Sequence, residues 1–344
     1  MNTVNQKIID AVIEKANKIC PDSLALIGVY GSVATGDEYE KSDLDLLILI
    51  EDNLGWSLGT GFILEDSKIG YDIYCTNWDG LRYDSECHHA HLSKLMDSDI
   101  VYIKKQEAYE TLCKLREKTK KFLESEERFA QVNELIEKAK LAYANANLHE
   151  DIGQVRLDTF GVVYYLTDAV MLFNGKYYKR GTKRMFEELE KISLDETFIA
   201  HIKEIAKTND VSKLRSLSKS MILYVEDYVK QEKEKKEPSE DLKGTYEELY
   251  SNWRNKVGEA AKNKDTFSSF ANMCNMNYML ADISNDFNIG PFDVMEEFDS
   301  DCLDNNVKLY DAYLDKYENV YRKAGITVKR FSNVDEFVCD YLGK

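Results

Sequence analysis

The sequence predicts an α+β fold: a small mixed-sheet domain first, an all-helical bundle domain after it, and further C-terminal helices. Three observations carry this reading. Short apolar runs with strand character, SLALIGVY at 23–30, DLDLLILI at 43–50 and IGYDIYC at 69–75, crowd the first 75 residues. From about residue 127 the apolar period becomes helical and stays so. Only 3 prolines and 17 glycines in 344 residues leave room for long uninterrupted helices. The divisions that follow are 1–126 for the sheet domain, 127–240 for the bundle and 241–344 for the remaining helices.

Taken in order, residues 4–19 repeat apolar side chains at helical spacing (Ile8, Ile9, Val12, Ile13, Ala16) and stop at Pro21. The run 23–30 reads as a buried strand, and Gly31 begins a turn. A second strand at 43–50 is acidic where it starts and apolar afterwards. Residues 51–68 are glycine-punctuated and read as a loop or hairpin before the third strand at 69–75. A helix near 107–125 closes the first domain. Helical stretches at 132–151 and 155–174, then near 183–206 and 211–236, predict an antiparallel bundle. The charged run at 230–241, broken by Pro238, reads as a solvated linker. Amphipathic helices return over 244–325, and ITVKRF at 326–331 has the pattern of an isolated strand.

Composition narrows the partners. With 44% hydrophobic and 11% aromatic residues the chain is a folding one. No run approaches the roughly 20 apolar residues that cross a bilayer, and the N-terminal residues lack a signal-peptide core, so a cytoplasmic protein is expected. The seven cysteines are scattered without a CxxC pair, which predicts reduced thiols. Forty-five basic residues against 62 acidic ones give a net charge of −17. That balance argues against bulk nucleic acid as a partner and favours a cationic one.

The chemistry concentrates in G-S-x10-D-x-D, Gly31-Ser32 followed by Asp43 and Asp45, with Asp72 27 residues beyond Asp45. Side chains at i and i+2 of a strand share a face, so Asp43 and Asp45 stand side by side. Two carboxylates that close are stable mainly with a hard cation between them, and oxygen ligands suit Mg²⁺. A strand that ends in Gly31-Ser32 and enters a helix offers free N–H groups and a hydroxyl to an anion. Together these halves fit metal-assisted phosphoryl or nucleotidyl transfer. Cys87-His88-His89-x-His91 does not fit a metal site, because on a helix the three imidazoles span too wide an arc. Tyr164-Tyr165 and Tyr177-Tyr178 read as bundle core or rim.

GSVATGDEYEKSDLDLLILI resembles the signature of the DNA polymerase β-like nucleotidyltransferase superfamily. It is closest to the small-molecule branch that contains the aminoglycoside and lincosamide nucleotidyltransferases, and the resemblance is strongest over about residues 23–75. It implies that Gly31 and Ser32 hold the β- and γ-phosphates, that Asp43 and Asp45 bind catalytic Mg²⁺, and that Asp72 is the third carboxylate. A looser resemblance at NGKYYKRGTKR, 174–184, implies that Asn174, Tyr178, Lys179 and Lys183 reach the triphosphate, with Tyr177 and Arg180 competing for those roles. For the general base it suggests an acid of the helical domain: Asp151, with Glu150 adjacent and Asp168 further along. The implied reaction moves AMP from ATP to a hydroxyl of a small molecule, with an aminoglycoside-type antibiotic as one candidate acceptor. Adenylylation of a protein or RNA end, or nucleotide binding without turnover, are the alternatives.

Overall fold

The first helix, α1 (Thr3–Ile19), lays Ile9, Val12 and Ala16 on a sheet that its own period-matched stripe was built to cover. In this computed structural model, which describes residues 3–181, 184–230 and 235–343, the chain forms two compact units, Met1–Lys230 and Gln231–Lys344. The elements of the sheet region are β1 (Leu24–Tyr30), a single helical turn α2 (Gly31–Thr35), β2 (Asp45–Ile50), β3 (Thr60–Leu64), β4 (Ile69–Ile73), β5 (Cys75–Thr76), α3 (Trp78–Ser85), α4 (Ser93–Met96), β6 (Asp99–Ile103) and α5 (Gln106–Glu124). The sheet is mixed, in the order β5-β2-β1-β6: β1 runs antiparallel to β2 and β6, while β5 runs parallel to β2.

Strand β2 is buried on both sides, which is why its sequence reads as a nearly unbroken apolar run. Leu46, Ile48 and Ile50 join the layer under α1; Leu47 and Leu49 face Leu81 of α3, Leu95 of α4 and Leu112 of α5. A register shift between Leu24 and Leu26 lets Ala25 and Leu26 both serve the second layer.

Two expectations for this region change. The third strand of the sequence reading is divided: β4 pairs with β3 as a separate two-stranded hairpin, and only Cys75 and Thr76 join the main sheet. The fourth strand, β6, was not foreseen. It is an edge strand that alternates only between exposed and half-buried residues, so it lacks the apolar signal that marks β1 and β2.

The helices that follow are α6 (Arg128–Leu148), α7 (Ile152–Phe173), α8 (Met185–Leu189), α9 (Glu196–Ile205) and α10 (Val211–Tyr228). Helix α7 presents a buried stripe from Val155 onward and is buried on all sides over Leu166 to Leu172. The bundle core also takes in Cys87, Ala90 and Leu92 from the loop after α3. That loop therefore belongs to both layers, and it fixes the sheet's active edge against α7.

The second unit contains α11 (Thr245–Leu249), α12 (Asn255–Asn263), α13 (Thr266–Asp286), α14 (Leu303–Lys323) and α15 (Val334–Leu342). Its core is built on Tyr310, Tyr317 and Tyr321 of α14. The phenols are satisfied internally: Tyr310 donates to the Leu249 carbonyl at 2.7 Å, and Tyr317 and Tyr321 meet the Thr245 hydroxyl at 2.6 and 3.0 Å. Residues 326–331, expected as a strand, form none. Ile326 and Val328 enter the core while the Lys329 N–H donates to Glu247 Oε1 at 2.7 Å, so side-chain acceptors replace a partner strand.

Replacing Leu47 with Ala would leave a cavity beneath the strand that carries the acidic motif. The expected cost is about 2–5 kcal/mol of unfolding free energy, read from a shift in the urea midpoint at constant slope. A loss below about 1 kcal/mol would mean that the layer between β2 and α3 is loosely packed.

Candidate active site

Tyr30 and Asp45 lie directly opposite each other across the antiparallel β1–β2 ladder, so their side chains share a face. That face also holds Leu47 and Leu49, and the alternation carried back through the buried Leu44 places Asp43 on it too. The next residue along from Tyr30 is Gly31, whose φ of +69° opens α2. A Cβ there would lie 2.8 Å from Asp45 Cγ and far inside van der Waals contact with Oδ2. Glycine is thus required twice over, by its backbone angle and by the carboxylate packed on it.

The electrostatics follow from this crowding. Burial first, and then the charge of Asp43, push the Asp45 carboxyl up to about 6. The Tyr30 phenol is pushed up to about 12 by burial and by the charges of Asp45, Asp84 and Asp43. Asp84 is therefore part of the same acidic field. It is buried at the end of α3, with Nε2 of His89 3.4 Å from Oδ1 and Nζ of Lys94 3.1 Å from Oδ2. Burial alone would raise its carboxyl; the His89 and Lys94 contacts outweigh burial and hold it below the usual carboxylate range.

Helix α2 ends after one turn at Gly36, with φ +69° and its N–H on the Ser32 carbonyl. The turn is braced by the Thr35 hydroxyl on the Gly31 carbonyl at 2.8 Å and the Asp37 N–H on the Ser32 carbonyl at 3.1 Å. The amides at its head have no acceptor within the turn itself, the general condition for an anion cradle. The Asp37 side chain meets two cations from the segment after α7: it is ion-paired with Arg180 and lies 3.2 Å from Nε of Arg184.

Asp72 takes its place on β4. Its neighbours Tyr71 and Ile73 are buried in the α1 layer, so Asp72 turns to the opposite, open face of the hairpin. It is exposed and lies over Gly61 of the hairpin. Among the described residues no three His, Cys, Asp or Glu side chains are gathered closely enough to hold a metal ion. Asp43 and Asp45 are brought together; Asp72, on the separate hairpin, does not join them in a three-carboxylate group.

The segment 174–184 is near the cradle, but not through the residues singled out from the sequence. Tyr178 is 1% exposed; its N–H donates to the Ala90 carbonyl at 2.7 Å and its hydroxyl to the Thr167 carbonyl at 3.2 Å. It belongs to the bundle core, where a buried phenol needs an acceptor. Asn174 caps α7, bonding the Val170 carbonyl at 2.7 Å and the Tyr228 hydroxyl at 3.0 Å. The Lys179 side chain is exposed while its N–H, like that of Arg180, donates to Glu188. Lys183 lies outside the described residues. Tyr177 donates to Asp97 at 2.8 Å. The cations placed against α2 are Arg180 and Arg184, of which the sequence pattern offered the first only as a competitor.

The helical acids also sort themselves. Asp151 is the N-cap of α7 and accepts from the Gln154 N–H at 3.0 Å, a helix-starting role. Glu150 is exposed, 3.7 Å from Arg215. Asp168 is fully buried beside His91. The Cys87–His91 stretch is a loop rather than a helix. His88 stacks on Tyr83 and His91 lies between Tyr164 and Tyr178. Asp37, Asp84 and Arg184 had no motif around them, and only their distant partners single them out.

Residues 7–144 match the family model of the nucleotidyltransferase domain. That stretch is a nucleotidyltransferase domain, and the protein is a nucleotidyltransferase enzyme by virtue of it. A solved structure, a nucleotidyltransferase-like protein from Exiguobacterium sibiricum 255-15, is similar with 13% identity, a TM-score of 0.30, and coverage of 76% of this chain and 92% of its own. No curated protein matches the chain. Among the described residues no helix is long and apolar enough to cross a membrane.

Two outcomes are expected. In Asp45→Asn the penalty of ionising a crowded carboxyl disappears. A carboxyl raised in the folded state costs stability as pH rises from about 4 through about 6, so the metal-free variant gains melting temperature at pH 7.5 and none at pH 4. Equal melting at both pH values would refute the crowding. Gly31→Ala should keep helix content by circular dichroism yet lose metal-dependent nucleotide binding by at least tenfold in calorimetry, because the methyl group displaces Asp45.

Proposed function

We propose that this enzyme transfers a nucleoside monophosphate, AMP from ATP, to a hydroxyl of a small molecule, and that it does so with Mg²⁺. The observation that supports the reading most directly is the Asp43–Asp45 pair packed against Gly31, with Asp45 raised by burial and then by its neighbour's charge. Such a pair gains from a divalent cation, and Mg²⁺ commonly takes one or two carboxylates together with substrate phosphate oxygens and water. Asp43 and Asp45 would be the holding residues, two adjacent carboxylates being a donor set suited to Mg²⁺, and Asp72 of the neighbouring hairpin would serve as the third carboxylate.

When bound, the ion supplies Lewis-acid stabilisation of charge on the transferring phosphoryl group. The chain does the rest. Amides of Gly31 and Ser32 receive phosphate charge at the head of α2, where the bare Gly31 Cα permits close approach. Arg180 and Arg184, paired with Asp37 beside that turn, bring positive charge to the same place. Asp45 fixes the reacting phosphate relative to the acceptor, so positioning rather than covalent chemistry carries the catalysis. The −17 net charge favours an acceptor with amines, such as an aminoglycoside-type molecule, over a nucleic acid end.

The test is pyrophosphate release from Mg-ATP in the presence of a panel of aminated and neutral hydroxyl compounds. Turnover with one or more acceptors is expected, together with an acceptor adduct heavier by AMP in mass spectrometry. Asp45→Asn should lower it at least about 10²-fold, the scale of losing one preorganised charge-stabilising group. An adduct found on protein from a lysate, with none on any small molecule, would replace the small-molecule reading by protein adenylylation.

A further inference from the structure

Asp37 follows α2 directly and is tied to it. Its N–H donates to the Ser32 carbonyl at 3.1 Å across Gly36, whose left-handed φ of +69° closes the turn. The Asp37 backbone is therefore fixed to the same turn that carries Gly31 and Ser32. Its side chain, 20% exposed, draws in two guanidiniums: Arg180 pairs with Oδ2 through Nη1, and Nε of Arg184 lies 3.2 Å from the same oxygen. Two rigid forks with five N–H donors each thus meet one carboxylate oxygen, through one nitrogen apiece. Such forks are shaped to grip two oxygens at a time, as a phosphate offers them.

The frame behind the arginines is held just as firmly. Glu188, 8% exposed in the first turn of α8, accepts the Lys179 N–H on one carboxylate oxygen at 2.9 Å and the Arg180 N–H on the other at 2.8 Å. Just before them, the Tyr178 N–H is bonded to the Ala90 carbonyl at 2.7 Å and the Tyr177 hydroxyl to Asp97 at 2.8 Å. Arg184 stands at the N-cap of α8 and also pairs with the exposed Glu187. With both backbones anchored, the contact between this segment and the turn changes most easily by rotation of side chains.

We propose that Asp37 is a built-in stand-in for the nucleotide's phosphates: it holds Arg180 and Arg184 beside the turn while the site is empty, yields both to a metal-bound polyphosphate, and takes them back as pyrophosphate leaves. This rests on the transfer reading above. No covalent step is involved; one anion replaces another on the same two cations. Oxygens on successive phosphates engage both forks at once, which a single carboxylate oxygen does not. The consequence has a definite sign. When the binding cations are occupied, the apparent affinity falls by the fraction of time they are free, so removing the stand-in tightens polyphosphate binding. A carboxylate that merely braced the arginines for the phosphate would act in the opposite direction, because its loss would loosen them. Neutralising any nearby acid also lessens repulsion of the triphosphate, and Glu38 measures that part. It is exposed, next in sequence, and takes no part in the ion pairs of either arginine among the described residues.

The test is calorimetry on the full chain with Mg-ATP in the absence of acceptor, and separately with magnesium pyrophosphate. Asp37→Asn should tighten both ligands at least about threefold, while Glu38→Gln changes them by less than about 1.5-fold. In an Arg180→Gln/Arg184→Gln background the Asp37→Asn effect should vanish, because no guanidinium is left to free. A second readout needs only wild type: the Nε–H signals of Arg180 and Arg184 in nitrogen-labelled NMR should shift together when magnesium pyrophosphate is added. Binding that Asp37→Asn leaves unchanged or weakens overturns the stand-in alone. So does tightening that Glu38→Gln matches, tightening that persists without the arginines, or pyrophosphate binding that leaves both Nε–H signals in place. A wild type that binds neither Mg-ATP nor pyrophosphate overturns the transfer reading and the stand-in with it.

Discussion

Two like charges held one pleat apart, Asp43 and Asp45, set the terms for everything around them. Left to itself the pair would relax by turning one carboxylate away, or by bending the strand that carries it. Neither route is open. From Leu46 onward β2 is buried on both faces, so twisting it would expose Leu47 and Leu49 on one side or Ile48 on the other. Gly31 presses on Asp45 from the end of β1. Burial and then the charge of Asp43 raise the Asp45 carboxyl, and under the proposed reaction a bound cation would relieve that cost. Stability and function pull in opposite directions at this position, the ordinary cost of a preorganised site.

What was legible in the sequence follows a simple physical boundary. Strand periodicity is strict, so Asp43 and Asp45 could be put on one face from their spacing alone, and a glycine before a short turn pointed to the close approach at Gly31. Both relations are local. The limits of that logic show at Tyr178, which lies in a polar, basic stretch and looks like a ligand-binding residue. It is pulled into the core because its N–H and hydroxyl find carbonyls of Ala90 and Thr167 in other elements. Nothing near it in sequence carries that information. Asp72 lies between these cases: alternation turns it away from the buried Tyr71 and Ile73, while the pairing of β3 with β4 as a separate hairpin, set by contacts across a turn, could not be read from its spacing.

Asp84 and Asp37 were invisible for the same reason as Tyr178. Each is one acid among 62 acidic residues, and each gains meaning only through cations brought from elsewhere: Lys94 and His89 for Asp84, Arg180 and Arg184 for Asp37. The histidine stretch failed in a different way. Reading 88–91 as helix fanned the three rings around an axis and made them irrelevant to one another. As a loop, with Cys87, Ala90 and Leu92 pinned in the bundle core, the same residues send His89 to Asp84 and His91 to Asp168. The change of apolar period near residue 127 marks where long helices begin, but the loop after α3 is where sheet and bundle are fastened together.

The overall charge gives these local arrangements their purpose under the proposed reaction. A nucleoside triphosphate approaching a chain of net charge −17 meets a repulsive field, yet at physiological salt that field fades over roughly 8 Å. Binding is then decided within a few side chains of the phosphates. There the protein offers the amides of one helical turn and two guanidiniums already held by Asp37, while Asp43 and Asp45 favour the nucleotide that arrives with its metal over the bare anion. The same acidic field attracts a cationic acceptor rather than opposing it. Donor and acceptor are thus sorted by different ranges of one electrostatic design: contact distance for the triphosphate, and the longer reach of net charge for the molecule that receives AMP.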